Sequence, residues 1–188
     1  MSSYTKIYLL GWVMSDTSRY DPVARSLHWL VVVLVVAQFI LGWNMPDVQA
    51  DTKPINLIAA HLIVGVALVA AMICRLAWRF THRPPDSELS PILNMMSSIT
   101  HFALYGLLIA VPLLGWINAS SNGWAVTLLW IIPLPALAPT GVSWGDAIGD
   151  LHGTLSWILF GVICLHVLAA LVHRFVMRDS VIERMMPW

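Results

Sequence analysis

Along the chain, apolar residues run almost unbroken through four stretches, and polar residues collect between them. The stretches run roughly from Leu27 to Met45, Ile55 to Trp78, Ile99 to Asn118 and Leu151 to Met177. Each is near or above the ~20 residues that carry a helix across a bilayer core. Backbone groups in lipid must bond within their own segment, so the pattern predicts four transmembrane helices rather than open strands. Pro112 inside the third kinks that helix without ending it. Between Ala119 and Asp150 a shorter apolar piece, GWAVTLLWIIPLPALAP, is interrupted by Pro133, Pro135 and Pro139. It predicts an interfacial or re-entrant segment rather than a fifth crossing. Tyr20-Asp21-Pro22 reads as a turn and helix start. The apolar piece Ile7 to Met14 is too short for a removable signal.

Composition agrees with the pattern: 59% of the residues are hydrophobic and 11% charged, against about 25% charged in soluble domains. The predicted fold is an all-α, integral-membrane four-helix bundle, with a segment 1–24 ahead of a four-span domain 25–188. Charge sets its orientation. Lys6, Arg19, Arg25, Arg75, Arg79, Arg83, Arg174, Arg178 and Arg184 fall on one side of the spans, and Lys53 alone on the other. The positive-inside rule then puts both termini in the cytoplasm. The opposite face sets Asp47, Asp51, Asp146 and Asp150 against Lys53, a net of about −3. Trp29 and Trp78 towards one face and Trp43 and Trp116 towards the other predict aromatic belts. Cys74 and Cys164 fall inside spans and read as small apolar core residues rather than a disulfide framework. The expected surroundings are membrane lipid, with no nucleic-acid partner.

Six histidines within four spans are the candidate chemistry, because ionisable groups in a membrane default to function. His152 and His166 are 14 residues apart, about 1400° of helix, or about 40° short of four turns, over a rise of about 21 Å. They share a face at two depths. His173 lies about 10 Å beyond His166 on nearly the same face. His61, early in the second span, matches the depth of His152, while His28 and His101 match that of His166. Gly65 shares the face of His61 and leaves room for a flat group. His82 sits in a polar, Pro-rich loop and reads as a solvated histidine. A metal transporter or proton relay would call for carboxylates or thiolates at these depths, and no Asp or Glu lies within a span. Bis-histidine haem needs one imidazole from each of two facing helices. Depth pairs His61 with His152 and His28 with His166, with His101 a competitor for the inner position. A non-haem transporter or sensor is the alternative from another class.

These stretches resemble a known family. RSLHWL, KPINLIAAH, THFALYGLLIAVPLLGW and LHGTLSWILFGVICLHVLAALVH, with its closing RDSVIERMMP, are similar to the bacterial cytochrome b561 family, nearest its superoxide oxidase branch. The resemblance covers about residues 20 to 188. It implies two haems b held by His28 with His166 and by His61 with His152, and a ubiquinone site at His173, with His101 a weaker candidate for that pocket or a partner to a ligand. It implies that periplasmic superoxide gives its electron to the outer haem and that ubiquinone takes electrons from the inner one. Lys53, just before the helix of His61, would attract the anion. The alternative within electron transfer is a membrane anchor relaying electrons between the quinone pool and a separate dehydrogenase or redox partner.

Overall fold

The computed structural model describes residues 19–49, 52–82, 85, 89–128 and 131–186 of the 188. Lys6, Asp51, Arg83, the piece from Ile7 to Met14 and the last two residues of the chain lie outside the described residues. Four helices make the bundle: α1 (Pro22–Asn44), α2 (Asn56–Thr81), α3 (Pro91–Ser121) and α4 (Gly145–Val172), the last continuing through a wider π-helical turn, His173–Met177. All four are long and apolar enough to cross a membrane.

The helix starts follow from local chemistry. The Asp21 carboxylate accepts from the amides of Val23 and Ala24, both at 3.0 Å, and Pro22 supplies a first-turn residue with no amide to orphan. The same carboxylate accepts from Trp78 Nε1 at 3.0 and 3.1 Å, tying the start of α1 to the end of α2. Ser90 and Pro91 repeat the cap-and-proline pattern at α3. Met45 ends α1 in an extended conformation, as the following Pro46 requires.

Burial alone would raise the Asp21 carboxyl, but the bonds from Trp78, Ala24 and Val23 and the charge of nearby His82 outweigh it and hold the group below its ordinary value of 3.8. Its contribution is therefore complete above that ordinary value and is lost as pH falls through the lower folded one. Asp21→Ala is expected to destabilise the bundle by about 1–2 kcal/mol through the lost cap. Thermal unfolding in detergent at neutral pH checks this, and the gap between variant and wild type should narrow on acidification below the carboxylate range.

Helices α1 and α2, α3 and α4, and α2 and α3 pack against one another, whereas the backbones of α1 and α4 do not approach. Aromatic side chains span that seam. Phe39 meets Phe160 edge-on at 5.3 Å and Trp43 stacks on Trp157 at 6.0 Å. The central core is one thin apolar layer: Val31 and Val35, Leu68, Ala71 and the fully buried Met72, Leu108 and Val111, and Leu159. Large apolar residues such as Phe102 and Phe80 point outward, as lipid-facing positions should. Cys74 and Cys164 also point outward, which corrects their expected place in the core. A helix in so thin a bundle turns only a narrow stripe inward, and neither cysteine lies on it.

Two helices start earlier than the apolar pattern predicts. Helix α3 begins at Pro91 rather than Ile99, and α4 at Gly145 rather than Leu151. Hydropathy marks only the part that lipid surrounds, while helical hydrogen bonding continues through polar turns such as Asn94 to Ser98. Between α3 and α4 the chain forms a two-residue hairpin, β1 (Thr127–Leu128) with β2 (Ile132–Pro133). Each strand is an edge, so Pro133 leaves no ladder bond unmade. The hairpin segment buries Val126 against Val66 and Ala119, and no fifth crossing is present among the described residues.

The first and last described segments meet at the opposite face. Tyr20 N donates to Arg184 O at 3.2 Å, Arg25 Nη1 to Met186 O at 2.9 Å and Trp29 Nε1 to Met185 O at 2.9 Å. This is the terminal face; the hairpin marks the loop face.

Candidate functional site

Histidines gather at two levels separated by the apolar core layer. At the loop face, His61 comes from the second turn of α2 and His152 from the second or third turn of α4. Their ring centroids are 6.1 Å apart with planes at 85°. Two imidazoles on opposite sides of one metal, each bonded at roughly 2 Å, would have centroids about 6 Å apart. The spacing therefore suits a single iron held between them.

The donor chemistry fits as well. His152 Nδ1 lies 2.8 Å from Val111 O. A carbonyl can only accept, so Nδ1 carries the hydrogen and Nε2 presents its lone pair, the tautomer a metal ligand needs. His61 Nδ1 and Gln38 Oε1 are buried without hydrogen-bond partners among the described residues. Beside the pair a cavity of about 200 Å³ opens into the seam between α1 and α4, bounded by Phe39, Trp43, Pro112, Ser156 and Trp157. A flat, largely apolar group carrying its own in-plane ligands fits this place. A bare ion does not, since no three His, Cys, Asp or Glu side chains converge among the described residues. At Gly65 the structure differs from expectation. The room there is taken by Gln38, whose Nε2 lies 3.1 Å from where a Gly65 Cβ would stand.

At the terminal-face level, His28, His101 and His166 come from α1, α3 and α4. His101 and His166 have ring centroids 5.4 Å apart, edge to face at 77°, roughly 1 Å short of the spacing for an iron between them. His28 is within electrostatic reach of both. His101 is exposed at the bundle surface, and its Nδ1 donates to Ser97 O at 2.7 Å. Arg75 joins this level: its Nη1 reaches Ala24 O at 3.4 Å and its guanidinium stands 5.9 Å from the centre of the Tyr105 ring. The charge pattern of the sequence uses Arg75 only as an orienting cation. The signal was there, because Arg75 follows His61 by the same 14 residues that separate His166 from His152, so both helices aim a polar group at each level.

The remaining predicted residues lie apart from these two clusters. His173 opens the π-helical turn, and its Nδ1 donates to Asp179 Oδ2 at 2.5 Å. Burial alone would raise the Asp179 carboxyl, but the bonds from His173 and the Val181 amide, with the charge of His173, hold it below the ordinary value. Arg174 pairs with Glu183 beside them. Asp179 was not legible in the sequence, because the wide turn and the left-handed Arg178 (φ 56°) break the helical spacing that leads to it. Lys53 is exposed on the α1–α2 connection, near the loop-face level. His82 is exposed as expected, but it is not free in solvent. It stacks on Trp78 with ring centroids at 3.8 Å and bonds the Thr81 hydroxyl.

Comparison with known proteins identifies the family. A family model described as prokaryotic cytochrome b561 matches residues 19–188. The chain is 27% identical over 171 residues to cytochrome b561 homolog 2 of Escherichia coli, covering 89% of this chain and 91% of that protein. It is 27% identical over 175 residues to the probable superoxide oxidase CybB of Yersinia pestis, covering 90% and 96%. It is 24% identical over 178 residues to cytochrome b562 of Cereibacter sphaeroides, covering 92% and 98%.

Proposed function

Because this chain belongs to the prokaryotic cytochrome b561 family, multi-pass bacterial membrane proteins of electron transfer that bind haem b, we propose that it is a superoxide:ubiquinone oxidoreductase. The observation that carries the two-haem part of the reading is the pair of histidine levels on one bundle, divided by an apolar layer. When bound, a haem at each level supplies a centre that accepts and releases one electron without moving. In balance, two superoxide anions leave as dioxygen, and one ubiquinone takes two electrons and two protons to become ubiquinol.

In this reading His61 and His152 hold the loop-face haem and His28 and His166 the terminal-face one. The 5.4 Å contact of His101 with His166 supports His28 as ligand, with His101 lateral to it. Arg75 places a fixed positive charge at the inner level, which favours the reduced state there. Lys53 offers superoxide a local cation. At the terminal face Asp179 accepts the Nδ1 hydrogen of His173, which orients the ring, and with a second hydrogen on Nε2 that edge can donate to a quinone carbonyl. The cations gathered at that face support a cytoplasmic orientation for both termini.

One observation favours a second reading. The loop face carries a net charge of about −3, which repels an anion at long range, as a face that receives electrons from a redox partner protein would not mind. A visible spectrum with haem quantification on the purified protein, followed by superoxide and then a ubiquinone analogue, separates the two. Two haems b per chain, reduced by superoxide and reoxidised by quinone, is the expected result. Two haems that superoxide leaves oxidised would transfer the assignment to the partner-fed relay.

A further inference from the structure

Each loop-face imidazole rests against a neighbouring helix at a point where that helix has no side chain. A Cβ on Gly115 of α3 would stand 3.0 Å from Cε1 and 3.1 Å from Nδ1 of His152. A Cβ on Gly42 of α1 would stand 3.5 Å from Cε1 and 3.7 Å from Nδ1 of His61. The two contacts involve the same edge of each ring, although the four residues come from four different helices.

The backbone repeats the correspondence. In an α-helix the amide of residue i bonds the carbonyl of residue i−4, so the carbonyl directly below Gly115 is Val111 O and the one below Gly42 is Gln38 O. Val111 O accepts from His152 Nδ1 at 2.8 Å. Gln38 O holds the corresponding backbone position below Gly42, but His61 Nδ1 is buried without a hydrogen-bond partner among the described residues. A helix carbonyl has a second lone pair after its own i+4 bond is made, but a Cβ on the next turn would shield it. Glycine at that turn uncovers it.

We infer that Gly115 with Val111 O, and Gly42 with Gln38 O, are matched positioning elements for the loop-face haem ligands. The missing Cβ admits the edge of the imidazole to the helix surface, and at Gly115 the uncovered Val111 carbonyl fixes His152 Nδ1 as the donor. Nε2 is thereby left as the ligating atom, and the ring plane is set by the helix it rests on. Since the supporting helices differ, the two planes stand nearly perpendicular, at 85°. The inference rests on the reading of His61 and His152 as haem ligands. The two notches are not equally tight. At Gly115 an added methyl must move the ring by a few tenths of an ångström, while at Gly42 it makes an ordinary contact.

The test uses the full chain purified in detergent, read by haem-to-protein ratio, redox titration and the low-spin ferric EPR signals, which report the angle between axial imidazole planes. Gly115→Ala should shift the EPR signal and potential of one haem while leaving the other unchanged. Gly115→Val and Gly42→Val should each drop haem content towards half, and Gly42→Ala should be nearly silent. Gly106→Ala, on α3 with open space around it, is the control and should match wild type. Wild-type EPR and potentials in Gly115→Ala, or equal disturbance of both haems, would overturn the inference. His152→Ala separates it from its premise. If that variant keeps both haems, the ligand assignment is wrong; if it loses one while the glycine variants are normal, only the positioning role is wrong.

Discussion

His152→Ala is expected to remove about half the haem from the purified protein and to leave the terminal-face haem behind. The ring it deletes is half of the 6.1 Å imidazole pair and bonds Val111 O through Nδ1, tying α4 to α3 at this level. Among the described residues, neither Asp, Glu nor Cys stands near enough to replace it. Loss of a supporting hydrogen bond alone typically lowers metal affinity about 10–100-fold, so loss of the ligand itself should empty the site at any haem concentration met in expression. Haemochrome quantification gives the ratio, and a redox titration should collapse from two components to one. Survival of the bundle is expected, because the core layer around Met72 and Leu159 is untouched. Two haems in His152→Ala would dismiss the loop-face assignment.

The second large effect is at the other level, where His28→Ala should remove the terminal-face haem and His101→Ala should keep it. Depth along the helices does not choose between these two, since both lie near the level of His166. Geometry does. His101 already touches His166 at 5.4 Å and spends its Nδ1 hydrogen on Ser97 O, and it sits exposed at the surface, whereas His28 is half-buried. An iron shared by His101 and His166 would require the two rings to separate by roughly 1 Å. The same haem quantification, run on both single variants, decides the matter. Should His101→Ala lose the haem and His28→Ala retain it, the inner pair is His101 with His166.

Much of this architecture was legible beforehand because its causes are local or one-dimensional. A bilayer demands long apolar helices, so the four spans stood out. Asp21-Pro22 announced the start of α1, and the structure has that cap. The polar extensions of α3 and α4 were missed because hydropathy reports lipid contact and not hydrogen bonding. The outward turn of Cys74 and Cys164 is not legible because an apolar helix with an apolar lipid neighbour has no amphipathic stripe to read. His173 with Asp179 depends on a wide turn and a left-handed residue, which no 3.6-residue period anticipates.

The sequence by itself determined how many times the chain crosses and at what depth each histidine lies, because a helix rises a constant ~1.5 Å per residue and depth follows from counting. Only the tertiary structure decided which histidines meet. Azimuth and helix neighbours depend on how side chains interlock, and here α1 packs on α2 and α3 on α4 while α1 and α4 stay apart. That arrangement opens the seam beside His61 and His152, places Arg75 among the terminal-face histidines, and sets Gly42 and Gly115 against the imidazole edges.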